Sequence, residues 1–168
     1  KASEAVKGKA ANIGGVRAFT GANDALTVVV SRENTWATCL SVAELKKIWE
    51  PGSQVNNWKD VRAGFPDVTL KLFGAGTDSG TFEYFTEAIN GRARASRTDY
   101  QASEDDNVLV QGVAGEQGGM GYFGYSYFNE NRSRLRAVQI RHPKTNSCVP
   151  PNEKSVHAGQ YKPLSRPL

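Results

Sequence analysis

Val68-Thr69-Leu70-Lys71-Leu72-Phe73 runs into Gly74-Ala75-Gly76-Thr77-Asp78-Ser79-Gly80-Thr81, and then into Phe82-Glu83-Tyr84-Phe85. The first six residues have the β-branched and aromatic content of a strand. After the small residues, Phe82, Phe85 and Ile89 recur at helical spacing, and Asn90-Gly91 supplies a stop signal. The stretch therefore reads as strand, Gly/Ser/Thr loop, helix, the signature of an α/β domain. Small residues let a backbone approach a ligand closely, and the first amides of a helix lack intrahelical partners. With the hydroxyls of Ser79 and Thr81, this loop offers an anion pocket for phosphate, sulfate or carboxylate. A plain N-cap and tight turn with no ligand is the alternative reading. The Lys of a P-loop is absent, and the dinucleotide fingerprint does not fit.

Working outward, Leu26-Thr27-Val28-Val29-Val30 is nearly uninterrupted in apolar and β-branched residues, as in a strand buried on both faces. Ser41-Val42-Ala43-Glu44 is a capping box opening a helix over Val42 to Trp49, with Leu40 and Leu45 as a hydrophobic staple and Pro51-Gly52 as its end. Ser103-Glu104-Asp105-Asp106 reads as a second capping box, with Val108, Val110 and Val113 on the helix after it. Gly119 to Phe123 is a short strand, Tyr125 to Asn131 a helix, and Arg136 to Ile140 alternates like a strand. A short helix is expected over Ser3 to Ala11. From His142 onward the chain reads as mostly loop. The elements do not form a clean βαβ repeat, so a mixed central sheet flanked by helices is expected.

The 168 residues are one domain's worth, and 23% charged residues with 39% hydrophobic residues argue against global disorder. No apolar run approaches the ~18–20 residues of a membrane helix. A net charge of +4 is too small to mark a nucleic-acid partner. No HExxH, CxxC or EF-hand spacing indicates a metal, and no cofactor is expected. Arg92, Arg94 and Arg97 form a basic cluster, in which Arg97 either reaches an oxyanion with its fork or faces solvent. Glu104-Asp105-Asp106 reads as helix capping more readily than as a metal cluster. Cys39 and Cys148 are either a disulfide or two buried thiols. A serine hydrolase would need Ser79 activated by His142 or His157, but Ser79 does not sit in a GxSxG elbow. The aromatics from Tyr122 to Phe128 suit core packing more than a stacking platform.

Several segments in order resemble the phosphate-binding protein (PstS) family of periplasmic substrate-binding proteins. They are Asp24 to Val30, Leu40 to Trp49 with Asn57-Trp58, Gly76 to Phe82, Gly118 to Tyr125, and Tyr161 to Leu168. The resemblance implies one lobe of a type II periplasmic-binding-protein fold. It further implies that residues 1–168 are a single substrate-binding lobe, the second of two, with 1–22 and 142–168 near the hinge. The partners it implies are inorganic phosphate, the permease subunits of an ABC importer and the first lobe of the same protein. The location it implies is periplasmic or cell-surface, and a Cys39–Cys148 bridge agrees with export. It implies a binding protein rather than an enzyme. Ser79, Gly80 and Thr81 match the residues that hold phosphate oxygens, and Asp78 adjoins them. Many members carry an Arg just before that Ser. Here Gly74-Ala75-Gly76-Thr77 stands instead, and Arg97 is the expected substitute. A receptor for sulfate or molybdate is the nearest alternative.

Overall fold

The computed structural model describes residues 23–167. The expected helix over Ser3 to Ala11 lies outside them. Strand β1 (Asn23–Ser31) is followed by the short β2 (Cys39–Leu40) and helix α1 (Val42–Trp49). The capping box at Ser41 is complete: Ser41 Oγ accepts from the Glu44 amide, and the Glu44 carboxylate accepts from the Ser41 amide. A 3-10 turn at Trp58–Asp60 leads to β3 (Lys71–Ala75) and α2 (Gly80–Asn90). Gly91 ends α2 at φ 86°, a left-handed conformation that favours glycine. Then come β4 (Gln101–Ser103), α3 (Asp106–Ala114), β5 (Gly119–Gly124) and α4 (Tyr125–Glu130). The chain finishes with β6 (Leu135–Ala137), β7 (Gln139–Arg141), β8 (Cys148–Val149), α5 (Glu153–His157) and β9 (Ser165–Pro167).

The main sheet has the order β4-β3-β5-β1-β6, with β9 pairing the start of β1. β3 runs parallel to β4 and β5, whereas β1 is antiparallel to β5, β6 and β9. The sheet is therefore mixed, as expected. Alternation along the central strands explains why both faces are covered. Leu26, Val28 and Val30 of β1 and Met120 and Tyr122 of β5 join one core with Leu45, Ile48 and Trp49 of α1 and Phe82, Phe85 and Ile89 of α2. Val29 and Phe123 point to the other face and join Leu109, Val110 and Val113 of α3 and Phe128 of α4. Each such side chain contributes on the order of 1.5–3 kcal/mol on burial. The result is a three-layer arrangement with the sheet in the middle.

Three expectations are corrected. The alternating run Arg136 to Ile140 is not one strand. It breaks at Val138, whose amide donates to Val28 O, while the next amide, Gln139, donates to Thr38 O. β7 thereby leaves the main sheet for a small one ordered β2-β7-β8. The N-cap of α3 is Asp105, which accepts from the Asn107 amide, whereas Ser103 Oγ accepts from the Asp105 amide one step earlier. The segment from His142 onward holds two strands and a helix, because Asn152 and Ser155 form a capping box that the prolines did not reveal.

Trp58 anchors the loop before β3 by donating its indole N–H to Gly118 O at 3.0 Å. Gly118 is tightly placed, and a Cβ there would overlap the Thr69 carbonyl oxygen. Because that obstacle is backbone, it cannot swing aside. Gly118→Ala is expected to destabilise the fold by about 2–3 kcal/mol through overpacking. Urea unfolding would read the loss as a lowered midpoint, and an unchanged midpoint would contradict it.

Candidate functional site

The carboxyl end of β3 delivers the chain into the loop Gly76–Ser79. The Ser79 amide donates to Gly76 O at 3.1 Å, which closes the turn. A Cβ on Gly76 would overlap the Glu104 carboxylate, so only glycine lets this acid lie against the loop. Ser79 is the N-cap of α2, extended at φ −93° and ψ 139°, with Oγ accepting from the Thr81 amide at 3.0 Å. The first intrahelical bond runs from the Glu83 amide to Ser79 O. The Gly80 and Phe82 amides find no acceptor among the described residues. Gly80 is exposed, and the space where its Cβ would stand is open. Two free N–H groups, two flanking hydroxyls and the positive end of an eleven-residue helix thus converge on one spot.

The helix that aims these donors is firmly held. Phe82, Tyr84, Phe85 and Ile89 are buried. Phe85 stacks on Tyr122 with ring centroids 3.7 Å apart, and Trp49 meets Phe85, Tyr122 and Tyr100 edge-on. Tyr100 donates its hydroxyl to Ala75 O at 2.8 Å, bracing the end of β3. Burial pushes both the Tyr100 and Tyr122 phenols above the usual range, so both stay neutral beneath the loop.

The charges around the loop are mostly negative. Asp78 is exposed and makes no hydrogen bond among the described residues. Arg94, at φ 71°, donates to Thr77 O at 2.8 Å and to Glu83 Oε2 at 3.2 Å, and its guanidinium lies 5.9 Å from the centre of the Phe82 ring. It is the guanidinium that touches the loop. A recess of about 160 Å³ opens between Thr77, Phe82, Arg94 and Tyr100. The sequence placed Arg94 in a basic cluster, but which Arg turns back to the helix depends on the loop after Gly91, and nothing in the spacing reports that.

Arg97 also lines that recess, with its guanidinium engaged by protein acceptors. Its side chain is only 2% exposed, and all five of its N–H donors have acceptors. Nε and one terminal nitrogen grip Asp99 at 2.7 and 3.0 Å, and that nitrogen also donates to Asn56 Oδ1 at 2.8 Å. The other terminal nitrogen donates to Ile48 O at 3.0 Å and Val55 O at 2.9 Å. An oxyanion would have to displace one of these bonds. The guanidinium instead satisfies a carbonyl of the last turn of α1 and ties it to the 55–56 segment.

Ser79 Oγ has no histidine partner among the described residues. His142 uses Nδ1 to accept from the Lys144 and Thr145 amides in a turn. The His157 side chain is outside the described set. Tyr122, Phe123 and Phe128 are core residues, as expected, whereas Tyr127 of the same run is exposed. Cys39 and Cys148 form a disulfide with a Cα–Cα distance of 6.1 Å.

A family model described as "PBP superfamily domain" matches residues 1–168. The chain belongs to the PBP superfamily. Among curated proteins it is 46% identical over 147 residues to Protein SphX of Synechocystis sp., covering 86% of this chain and 43% of that protein. It is 35% identical over 152 residues to the phosphate-binding protein PstS of Staphylococcus haemolyticus, covering 89% of this chain and 45% of that one. The chain spans less than half the length of these curated relatives. Among solved structures it is similar to a possible phosphate binding protein from Planctomyces limnophilus, with 54% identity, a TM-score of 0.85, and coverage of 89% of this chain and 52% of that one. An ABC-type phosphate transport receptor from Vibrio cholerae shares the fold at 22% identity and TM-score 0.70. The mixed sheet flanked by helices is thus the type II architecture of PBP proteins, matched over part of their length.

Proposed function

We propose that this chain is one lobe of a two-lobed receptor that binds inorganic phosphate and hands it to the permease subunits of an ABC importer. On this reading residues 1–168 form a single substrate-binding lobe, with 1–22 and 142–168 near the hinge, and the site lies in a periplasmic or cell-surface protein. It is a binding component, not an enzyme. The observation that carries the proposal is the start of α2, where the Gly80 and Phe82 amides are unpartnered beside the Ser79 and Thr81 hydroxyls. Such donors replace the water shell of a dehydrated oxyanion. Asp78 is an exposed carboxylate beside them, and Glu83 is paired with Arg94. Sulfate and monohydrogen phosphate are both dianions, so the distinction lies in the proton. Asp78 accepts the proton of monohydrogen phosphate, and fully ionised sulfate has none to donate. Arg94 takes the part of bracing the loop, and Arg97 that of holding the lobe together. Similarity to the phosphate-binding relatives supports the choice of ligand.

A single substitution tests the donor set. Proline is well accommodated at the first position of a helix and lacks the N–H. Ser79 already has the extended backbone that a residue before proline prefers. Gly80→Pro therefore removes one donor and leaves the helix start intact. Loss of one charge-assisted hydrogen bond costs about 1.5–3 kcal/mol, or about 10- to 100-fold in affinity. Calorimetric titration with phosphate and with sulfate is run on this chain and on the full-length protein that contains it. Gly80→Ala, which keeps the amide, serves as control. Saturable phosphate heat that Gly80→Pro weakens and Gly80→Ala retains supports the proposal. Equal affinity in Gly80→Pro, stronger binding of sulfate, or no phosphate heat even from the full-length protein overturns it.

A further inference from the structure

From Asn131 to Asn152 the sequence carries Arg132, Arg134, Arg136, Arg141 and Lys144, and no aspartate or glutamate. These five cations exceed the net charge of +4 of the whole chain. The fold gathers part of this charge into a groove of about 450 Å³, lined by Arg32, Arg132 and Arg136 with Ala137 and the exposed Pro150, while Phe128, Leu135 and Pro151 beneath are buried. The groove is remote from the anion loop. Register places Leu135 against Ser31, at the end of β1 opposite its pairing with β9, and β5 and β1 stand between β6 and β3 in the sheet.

The arginines of the groove differ from the three that hold the fold together. Arg62, Arg94 and Arg97 each pair with a carboxylate. Arg32, Arg132 and Arg136 have no acidic partner among the described residues. Two of them are nevertheless fixed in place. Arg32 donates from one terminal nitrogen to Arg132 O at 3.2 Å and Leu135 O at 3.4 Å. Arg132 donates to Asn129 Oδ1 at 2.7 Å and to the Tyr125 hydroxyl at 3.2 Å, and lies 4.8 Å from the centre of the Phe128 ring. Each keeps further N–H donors unused. Guanidiniums held in position with unused donors bind carboxylates at reduced entropic cost.

We propose that this groove docks an acidic segment of a protein partner, an extended peptide whose carboxylates alternate with apolar side chains. The charge complementarity is with carboxylates spaced along the groove, and the exposed Pro150 ring with Ala137 offers a small apolar contact to the side chains between them. An open groove does not enclose an isolated small anion as small-ligand sites do. The inference is independent of the phosphate reading, so either stands if the other fails.

The test is fluorescence anisotropy on the folded chain. The probe is a short fluorescein-labelled peptide alternating glutamate and leucine, and its glutamine–leucine analogue is the control. Arg136→Gln is the clean variant, because the Arg136 side chain makes no hydrogen bond or ion pair among the described residues. Arg132→Gln is the second, and Arg134→Gln removes the same charge just outside the groove. The expected result is binding of the glutamate peptide that weakens with salt and falls about fivefold or more in Arg136→Gln and Arg132→Gln, but less than twofold in Arg134→Gln. The glutamine peptide is expected not to bind. No binding of the glutamate peptide at low salt, equal binding of the glutamine peptide, or an equal loss in Arg134→Gln overturns the proposal. Binding of pyrophosphate or of phosphatidylglycerol vesicles without binding of the glutamate peptide likewise overturns it, assigning the groove to a small polyanion or a lipid surface.

Discussion

Arg97→Ala is expected to lower the stability of the fold by about 2–4 kcal/mol, the cost of leaving backbone acceptors without their donor. The loss falls on groups that stay behind. Ile48 O and Val55 O lose their donor, and a buried unpaired acceptor costs on the order of 1–3 kcal/mol, whereas the exposed Asn56 rehydrates. Asp99 adds little, because its side chain is 62% exposed and rehydrates. Arg97→Lys recovers only part of the loss, since one ammonium cannot reach five acceptors spread over a planar fork. The pH dependence has a definite sign. The hydrogen bond from Arg97 holds the Asp99 carboxyl below its ordinary value. That contribution is present above the unfolded carboxylate pKa and is lost as pH falls through the lower folded one. Arg97→Ala removes this acid-side slope. Urea unfolding at neutral and acid pH measures both effects. Phosphate titration on the folded fraction separates the two roles of Arg97. An unchanged midpoint with abolished phosphate heat would make Arg97 a ligand and reverse the assignment.

Arg97 also marks where the sequence was legible and where it was not. Local rules carried the parts of the fold that depend on neighbours in the chain. The Ser41 capping box, the Gly91 stop of α2 and the doubly buried strand at Leu26 to Val30 all appear where their patterns place them. The loop Gly76 to Thr81 was legible for the same reason, since an N-cap and its free amides are properties of a few consecutive residues. The employment of Arg97 was not. Its acceptors come from Ile48, Val55 and Asn56, more than forty positions away, and no periodicity connects them. The break at Val138 was hidden in the same way. Alternation from Arg136 to Ile140 is compatible with one strand, and only the partners Val28 and Thr38, in different sheets, divide it. The basic groove is intermediate. Its charge run is plain in the sequence, but Arg32 joins it from a distance of about a hundred positions through the β1–β6 pairing.

Removal of the Cys39–Cys148 bridge is expected to cost about 4–5 kcal/mol. The two cysteines are 109 positions apart, and closing so long a loop restricts the unfolded chain strongly on the chain-entropy model. For a domain of this size such a loss corresponds to roughly 10–15 °C in Tm. The bridge ties β2 to β8, the two outer strands of the small sheet, and Val149 of β8 leads directly into Pro150-Pro151 on the wall of the basic groove. The effect therefore has a global part and a local part, which urea unfolding of the Cys39→Ser/Cys148→Ser variant distinguishes. If the bridge acts on the unfolded chain, its removal lets that chain expand and expose more surface, so the urea m-value rises as the midpoint falls. If it acts chiefly by pinning β8 in the folded state, the m-value stays constant and the loss is smaller. A change in stability below about 1 kcal/mol would show that neither contribution operates at the expected scale. The Gly76–Ser79 loop follows β3 of the main sheet, whereas the bridge spans the small one. Phosphate affinity is expected to survive reduction at temperatures where the variant remains folded, whereas affinity of the groove for an acidic peptide is expected to fall as its proline wall loosens.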